Sequence, residues 1–379
     1  MDFNLTEEQE MIRQMVREFA EKEVAPRALE MDEQGEIPGE LIENIAEMGL
    51  LGIPIPEKYG GEEGDFLSYI IAVEELSRVC ASTGVTVETH VSLGSEPILN
   101  WGTEEQKQKY LPRLARGEMI GSFGLTEPNA GSDAAGLETT AVLDGDSWLL
   151  NGSKIFISNA GLADLSIIMA MTDKTKGTKG ISAFIVETDT PGFTVGRQEE
   201  KMGIRAANTA TLTFENVRVP KDNLLGREGE GFKIALHSLD GGRVAIAAQA
   251  LGIAQNAFEK ARDYAKMRKQ FNRPISTFQA VQFMLAEMAT EIKAARMLTY
   301  QAAWLKDQGE RITEAAAMAK YYSSEVAMKL SSKAVQIYGG YGYIRENGVE
   351  RLMRDAKITE IYEGTTEIQK IVIAGQLLR

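Results

Sequence analysis

Residues 362–369 read Tyr-Glu-Gly-Thr-Thr-Glu-Ile-Gln. One carboxylate, Glu363, follows the apolar run that ends in Ile361 and Tyr362 and precedes a glycine. A carboxylate drawn out of water by such neighbours gains proton affinity and becomes a better general base. Thr366 and Gln369 are spaced as a helix-capping box, so a helix is expected to open there with its free N–H groups near the Glu363–Gly364 turn. The plainer reading of the same residues is a solvated glutamate beside a helix dipole.

Four further groups could carry chemistry. In Phe123-Gly-Leu-Thr-Glu-Pro-Asn-Ala-Gly-Ser-Asp133, a β-rich run ends in a polar loop. Its hydroxyls and backbone N–H groups suit a polar ligand or a phosphate, or simply a surface turn. In Lys154-Ile-Phe-Ile-Ser158, Phe156 could stack on a flat ligand and Ser158 bond its edge, although an inward aromatic is usually core. In Leu239-Asp-Gly-Gly-Arg243, Asp240 and Arg243 lie one helical turn apart with two glycines between them. Each helical glycine costs about 1 kcal/mol against alanine, so the pair suggests a bulky neighbour, or else a frayed helix start. Arg268-Lys-Gln-Phe271 with Gln279, and Gln336-Ile-Tyr-Gly-Gly-Tyr-Gly342, complete the set. Gly339 and Gly340 could equally be a helix stop.

Composition removes other chemistries. The net charge is −14, which argues against nucleic acid or an anionic membrane as a partner. One cysteine, Cys80, allows no internal disulfide. Two histidines, His90 and His237, rule out a three-histidine zinc site, and no metal site is expected. Neither a dinucleotide fingerprint nor a P-loop nor a nucleophile elbow is present. No apolar stretch is long enough for a membrane span, and nothing at the start reads as a signal peptide, so a cytoplasmic protein is expected.

The elements that must position these residues fall into three parts. Thr6 and Gln9 form a capping box ahead of a helix expected to end at Pro26. Further helices are expected near 38–49, 66–79 and 103–117. From about 121 to 228, seven short β-rich runs alternate with turn signals, which suggests an antiparallel barrel or sandwich. Helical periodicity returns over 231–266, 276–308, 312–338 and 365–377, as in a four-helix bundle. The fold class is α+β, with boundaries expected at 1–120, 121–228 and 229–379.

These motifs occur together, in one order, along essentially the whole chain. In that respect the sequence resembles the acyl-CoA dehydrogenase family, and most of all its short-chain, butyryl-CoA-type bacterial members. The resemblance implies a helical domain, a β-barrel domain and a four-helix bundle, with FAD between the second and third. It implies that Phe123, Leu125, Thr126 and Ser132 line the flavin and the near end of the substrate. Phe156 and Ser158 would cover the flavin ring, where many relatives carry tryptophan and threonine. Asp240 and Arg243 match the segment at the CoA thioester arm and adenosine. Arg268, Phe271, Gln279, Gln336, Gly339 and Gly340 match positions serving the FAD diphosphate and adenine of a neighbouring subunit. Thr365 and Glu367 are likewise assigned to the cofactor, and Ser132 and Gly364 to the substrate. Asn272 departs from the pattern, which usually has glycine there.

Glu363 matches the family's catalytic base, the group that takes the α-proton of the acyl thioester while a hydride leaves the β-carbon for the flavin. Some relatives place the base just before the arginine, where this chain has Gly242. The resemblance further implies a trans-2-enoyl-CoA product, an electron-transfer flavoprotein as electron acceptor, and a homotetramer built as a dimer of dimers. Gly84 stands where glutaryl-CoA enzymes carry an arginine, which favours a short uncharged acyl group such as butyryl. Glu88 and His90 leave a branched or cyclic acyl group open. A flavin oxidase on the same fold, or a helical interaction protein without chemistry, are the rival readings.

Overall fold

The protein is described by a computed structural model over residues 4–378. The first helices are α1 (Glu7–Phe19), α2 (Ala28–Gln34), α3 (Gly39–Glu47), α4 (Phe66–Val79), α5 (Ala81–Glu88), α6 (Glu96–Trp101) and α7 (Glu104–Ala115). The expected capping box is present: Thr6 Oγ1 accepts from the Gln9 N–H at 3.2 Å, and Gln9 Oε1 accepts from the Thr6 N–H at 3.0 Å. Pro26 does not end the helical path. The chain passes through a π-helical turn (Ala20–Val24) and a 3-10 turn (Ala25–Arg27) and continues as α2. Proline falls at the start of that 3-10 turn, where its missing N–H is not needed.

Residues 81–101, to which the sequence reading gave no element, are helical throughout, with a π-helical turn (Thr89–Ser95) joining α5 to α6. Their β-branched residues disfavour a helix in isolation. Burial of the entire stretch from Phe66 to Ile98 overrides that preference.

The sheet comprises β1 (Gly121–Gly124), β2 (Thr140–Asp144), β3 (Ser147–Ser158), β4 (Leu165–Met171), β5 (Ile181–Glu187), β6 (Phe193–Gln198), β7 (Thr209–Pro220) and the short β8 (Leu224–Leu225). Its order is β6-β7-β3-β2-β4-β5-β8, with β1 added against β4. All seven β-rich runs of the sequence are strands. The sheet is mixed rather than purely antiparallel, because β1 and β2 both run parallel to β4. Parallel pairing needs a crossover, which the loop after β1 and the β2–β3 hairpin supply.

Three long helices follow: α8 (Gly231–Met267), α9 (Gln279–Asp307) and α10 (Thr313–Tyr338), with the β9–β10 hairpin (Lys269–Gln270, Arg273–Pro274) between α8 and α9. At its tip Phe271 and Asn272 both have positive φ, 52° and 64°. Asparagine tolerates that region better than most residues, so the departure from glycine leaves the turn intact. Two shorter helices, α11 (Val349–Thr359) and α12 (Thr366–Leu377), pack on α10. The sequence reading missed α11. The expected separation of helical parts is not a separation of cores: Tyr69 and Val73 of α4 share one apolar cluster with Val244 and Ala248 of α8 and Ala302 of α9. Among the described residues no helix is long and apolar enough to cross a membrane.

Candidate active site

Between α11 and α12 the chain makes a tight turn through Glu363 (φ 52°) and Gly364 (φ 93°). Left-handed backbone at a non-glycine residue costs about 1–3 kcal/mol and persists only when neighbours hold it. Here three side chains donate to the turn's two carbonyls. Gln369 Nε2 reaches Glu363 O at 3.1 Å and Gly364 O at 2.9 Å. Lys320 Nζ reaches Gly364 O at 2.8 Å, and Arg243 Nε reaches Glu363 O at 3.4 Å. The expected cap is displaced by one residue: Thr365 caps α12, its Oγ1 accepting from the Ile368 N–H at 3.3 Å, while Thr366 is buried inside the helix. Gln369 therefore serves the turn and not a capping box.

Glu363 is partly buried, and its Oε2 is enclosed and finds no hydrogen-bond donor among the described residues. Burial raises this carboxyl to about 7, opposed by a hydrogen bond with Glu88 and by the charges of Arg243 and Lys320. Glu88, at the end of α5, is wholly buried. It accepts from Ser92 Oγ at 2.5 Å and Thr89 Oγ1 at 3.1 Å. Burial and the neighbouring Glu363 push Glu88 well above the usual carboxylate range. Two buried carboxyls in hydrogen-bonding reach cannot both ionise cheaply, so Glu88 holds the proton and Glu363 keeps the charge.

The helix facing the turn explains the two glycines. Asp240–Arg243 is not a frayed start but lies well inside α8. A methyl at Gly242 would overlap the Glu363 carboxylate. One at Gly241 would come within 2.8 Å of Lys306 Nζ and 3.0 Å of Glu96 Oε2. Arg243 is buried and pairs with Asp240 at 2.8 Å, and Asp240 also accepts from Thr313 Oγ1 at 2.7 Å. A cleft of about 610 Å³ opens here, lined by His237, Asp240, Arg243, Lys306, Thr313 and Val372 among others.

The flavin-side candidates gather at the end of the sheet. The Ile155 N–H donates to Thr126 O at 2.9 Å, which sets the loop after β1 beside Phe156. Lys154, fully buried, clamps that loop by donating to Leu125 O at 3.1 Å and Glu127 Oε1 at 2.7 Å. Glu127 in turn accepts from the Glu138 and Thr139 N–H groups. Phe123 and Leu125 are buried, whereas Phe156 is 63% exposed at positive φ. The Thr126, Ser132 and Ser158 hydroxyls have no partner among the described residues. An aromatic face held open and three free hydroxyls fit a flat, polar-edged cofactor.

Of the residues assigned to a neighbouring subunit's FAD, Arg268, Gly339 and Gly340 line one cleft, whereas Phe271, Gln279 and Gln336 are not among its lining residues. That cleft, of about 400 Å³, shares no residue with the one beside Glu363, and Phe271 is 88% exposed. Glu367 is exposed in the first turn of α12. His90 does not face a cavity: its Nε2 bonds Leu114 O and its Nδ1 accepts from the Gly121 N–H, both at 3.1 Å. Burial lowers it to about 4, so it stays neutral. Gly84 abuts Ser77 with no room for a side chain. Lys320, Lys154 and Glu127 are functional candidates that the sequence reading missed. The one available signal was a lysine inside an alanine-rich apolar stripe.

Comparison with known proteins finds similarity along nearly the whole chain. Three family models match in order: the acyl-CoA dehydrogenase N-terminal domain over residues 6–118, the middle domain over 122–217 and the C-terminal domain over 229–378. The short-chain-specific acyl-CoA dehydrogenase of Clostridium acetobutylicum is 58% identical over 379 residues, covering 100% of both chains. The butyryl-CoA dehydrogenase structure from Megasphaera elsdenii superposes with a TM-score of 0.99 at 52% identity, covering 100% of both chains. A chain in the solved structure of the electron transferring flavoprotein of Acidaminococcus fermentans also gives 0.99, at 57% identity and 100% coverage of both. A buried carboxylate oxygen facing a glycine of α8 is thus carried on a fold matched end to end, and the chain belongs to the acyl-CoA dehydrogenase family of FAD enzymes.

Proposed function

We propose that this acyl-CoA dehydrogenase oxidises a short, straight, uncharged acyl-CoA, butyryl-CoA first, to the trans-2-enoyl-CoA, with Glu363 as the α-proton acceptor. The observation that carries this reading is Glu363 Oε2, a buried carboxylate oxygen without a donor, lying against a residue that has no side chain. Such an oxygen is free to accept a proton, and Gly242, by having no side chain, leaves room for the carboxylate itself against α8.

FAD, when bound, supplies the two-electron acceptor for the hydride that leaves the β-carbon. Phe156 would lie on its ring and Thr126 and Ser158 at its polar edge, with Phe123, Leu125 and Ser132 lining the rest. The positive-φ turn fixes the Glu363 carbonyl among side-chain donors and leaves its own N–H free for the thioester oxygen. Polarising that oxygen is what acidifies the α-carbon. Asp240 and Arg243 fix the helix face beside the thioester arm, and Gly364 and Thr365 shape the turn.

The acyl end is uncharged on this reading. Glu88 is enclosed beside Glu363, and no side chain fits at position 84, so a terminal substrate carboxylate would be buried without a cation. The similarity to proteins named as short-chain-specific and butyryl-CoA dehydrogenases supports the chain length. Electrons then pass to an electron-transfer flavoprotein, supported by the similarity to a chain solved in such a structure. The part-buried Arg268 and the exposed Phe271, Gln279, Gln336, Gly339 and Gly340, with Glu367, would complete the FAD site of a neighbouring subunit in a homotetramer. A cytoplasmic location is part of the same proposal.

The test is turnover across straight, branched, cyclic and dicarboxylic acyl-CoAs with an artificial electron acceptor. A highest kcat/KM with butyryl-CoA is expected. A highest value with glutaryl-CoA, a cyclic or a long-chain acyl-CoA would overturn the substrate assignment, and rapid oxygen consumption by the reduced enzyme would assign an oxidase.

A further inference from the structure

Two lysines, Lys154 and Lys320, are fully buried near the cofactor and substrate regions, and a third, Lys306, is part-buried. Lys154 has Glu127 at 2.7 Å and Lys306 has Glu96 at 2.7 Å. Lys320, in the middle of α10 and wholly inaccessible, has no carboxylate within ion-pair distance among the described residues. Its ammonium reaches a backbone carbonyl instead, Gly364 O at 2.8 Å, one residue beyond Glu363. A buried cation without its own counter-ion is expensive, and burial depresses this one to about 8. The cost is offset only if a negative charge nearby uses its field.

The other groups packed around this point do not compete for that role. On α4, Tyr69 donates to the Glu88 backbone. Glu88, on α5, holds a proton. On α8, Asp240 and Arg243 neutralise one another at 2.8 Å. Tyr362 bonds Gln249, Glu360 is paired with Lys357 at 2.6 Å, and Glu367 is exposed on α12. The charge left facing Lys320 is that of Glu363.

We propose that Lys320 is a positioning residue for the base: its ammonium ties down the strained Glu363–Gly364 turn through the Gly364 carbonyl and supplies the buried positive charge that keeps the Glu363 carboxylate ionised. This rests on the assignment of Glu363 as base. The lysine touches neither substrate nor cofactor in this role. It acts through the turn's geometry and through the field at Oε2. Arg243 and Gln369 share the geometric task, and Arg243 also lends charge to Glu363, but Arg243 is paired with Asp240 whereas Lys320 has no ion-pair partner among the described residues.

The experiment follows anaerobic flavin reduction by butyryl-CoA against pH, in single turnover, for the FAD-loaded wild type, Lys320→Met and Lys320→Gln. An opposite charge near a carboxylate lowers its proton affinity by about one unit or more, so both variants are expected to need a pH about one unit higher to reach half their limiting rate. Lys320→Met, which also loses the bond to Gly364, is expected to fall further in limiting rate than Lys320→Gln, with butyryl-CoA affinity changed within about threefold. A profile superimposable on wild type in either folded variant would overturn the proposal. Failure of both to fold would assign the lysine to the core and overturn it equally. Glu363→Gln is run beside them. Full activity there would sink the base assignment, whereas its loss together with an unshifted Lys320→Met profile sinks only the role of the lysine.

Discussion

Gly242→Ala isolates the space in front of the base. The substitution adds one methyl inside α8, where alanine is favoured over glycine by about 1 kcal/mol. Propensity alone therefore makes the variant more stable. The added carbon, however, would overlap Glu363 Oε2 and lie 3.0 Å from Cδ and 3.1 Å from Oε1. Relief of such overpacking costs about 1–3 kcal/mol, so net stability is expected to change by no more than about 2 kcal/mol. Catalysis is expected to respond far more. The carboxylate can escape only by swinging away from the helix, out of the place in which the α-carbon approaches. A misplacement of about 1 Å costs about a hundredfold in rate. The assay pairs thermal melting of the FAD-loaded protein with stopped-flow bleaching of its flavin by butyryl-CoA. Gly241→Ala is the control, since its methyl meets the mobile ends of Lys306 and Glu96 and leaves the base alone. Wild-type bleaching by Gly242→Ala, or an equal loss in both variants, would refute the assignment of the cavity.

Three further outcomes are expected. Because only ionised Glu363 accepts a proton, and burial holds it near 7, flavin reduction should fall about tenfold per pH unit below pH 7 and level off above it. The same lift has the opposite sign for stability. A carboxyl moved from 4.5 to about 7 stabilises the fold fully below pH 4.5 and loses about 3 kcal/mol as pH rises through 7, at about 1.4 kcal/mol per unit, readable as a falling Tm. Lys154→Met should cost about 3–5 kcal/mol by stranding Glu127, and should release FAD on dilution because the Leu125–Thr126 loop loses its clamp. An unchanged Tm with full flavin would contradict it.

What the sequence showed and what it hid have a common physical basis. The Thr6–Gln9 box, the seven β-rich runs and the limits of α8, α9 and α10 depend on local chemistry, so they were legible. Residues 81–101 read as β-branched and unassigned, since only their complete burial against neighbouring helices makes them helical. The apolar stripe of α11 through Val349, Leu352 and Ala356 is legible in the sequence, although no helix was expected there. Parallel pairing of β1 and β2 with β4 depends on crossovers that local pattern does not encode. In the site, Glu363 stood out by its company, but the reason for Gly242 did not, because it lies 121 residues away along the chain. Lys320 was hidden for the same reason: its partner is a backbone carbonyl, which no side-chain motif records.

The central claim is that Glu363 takes the α-proton. Anaerobic mixing of FAD-loaded Glu363→Gln with butyryl-CoA tests it most directly, with binding followed by the perturbation of the oxidised flavin spectrum and chemistry by bleaching. Normal flavin content and normal binding are expected, with bleaching slowed by about 10⁴-fold or more, the upper end for loss of a general base in an enclosed site. Bleaching within about tenfold of wild type would contradict it and transfer the role to another group, Glu88 first.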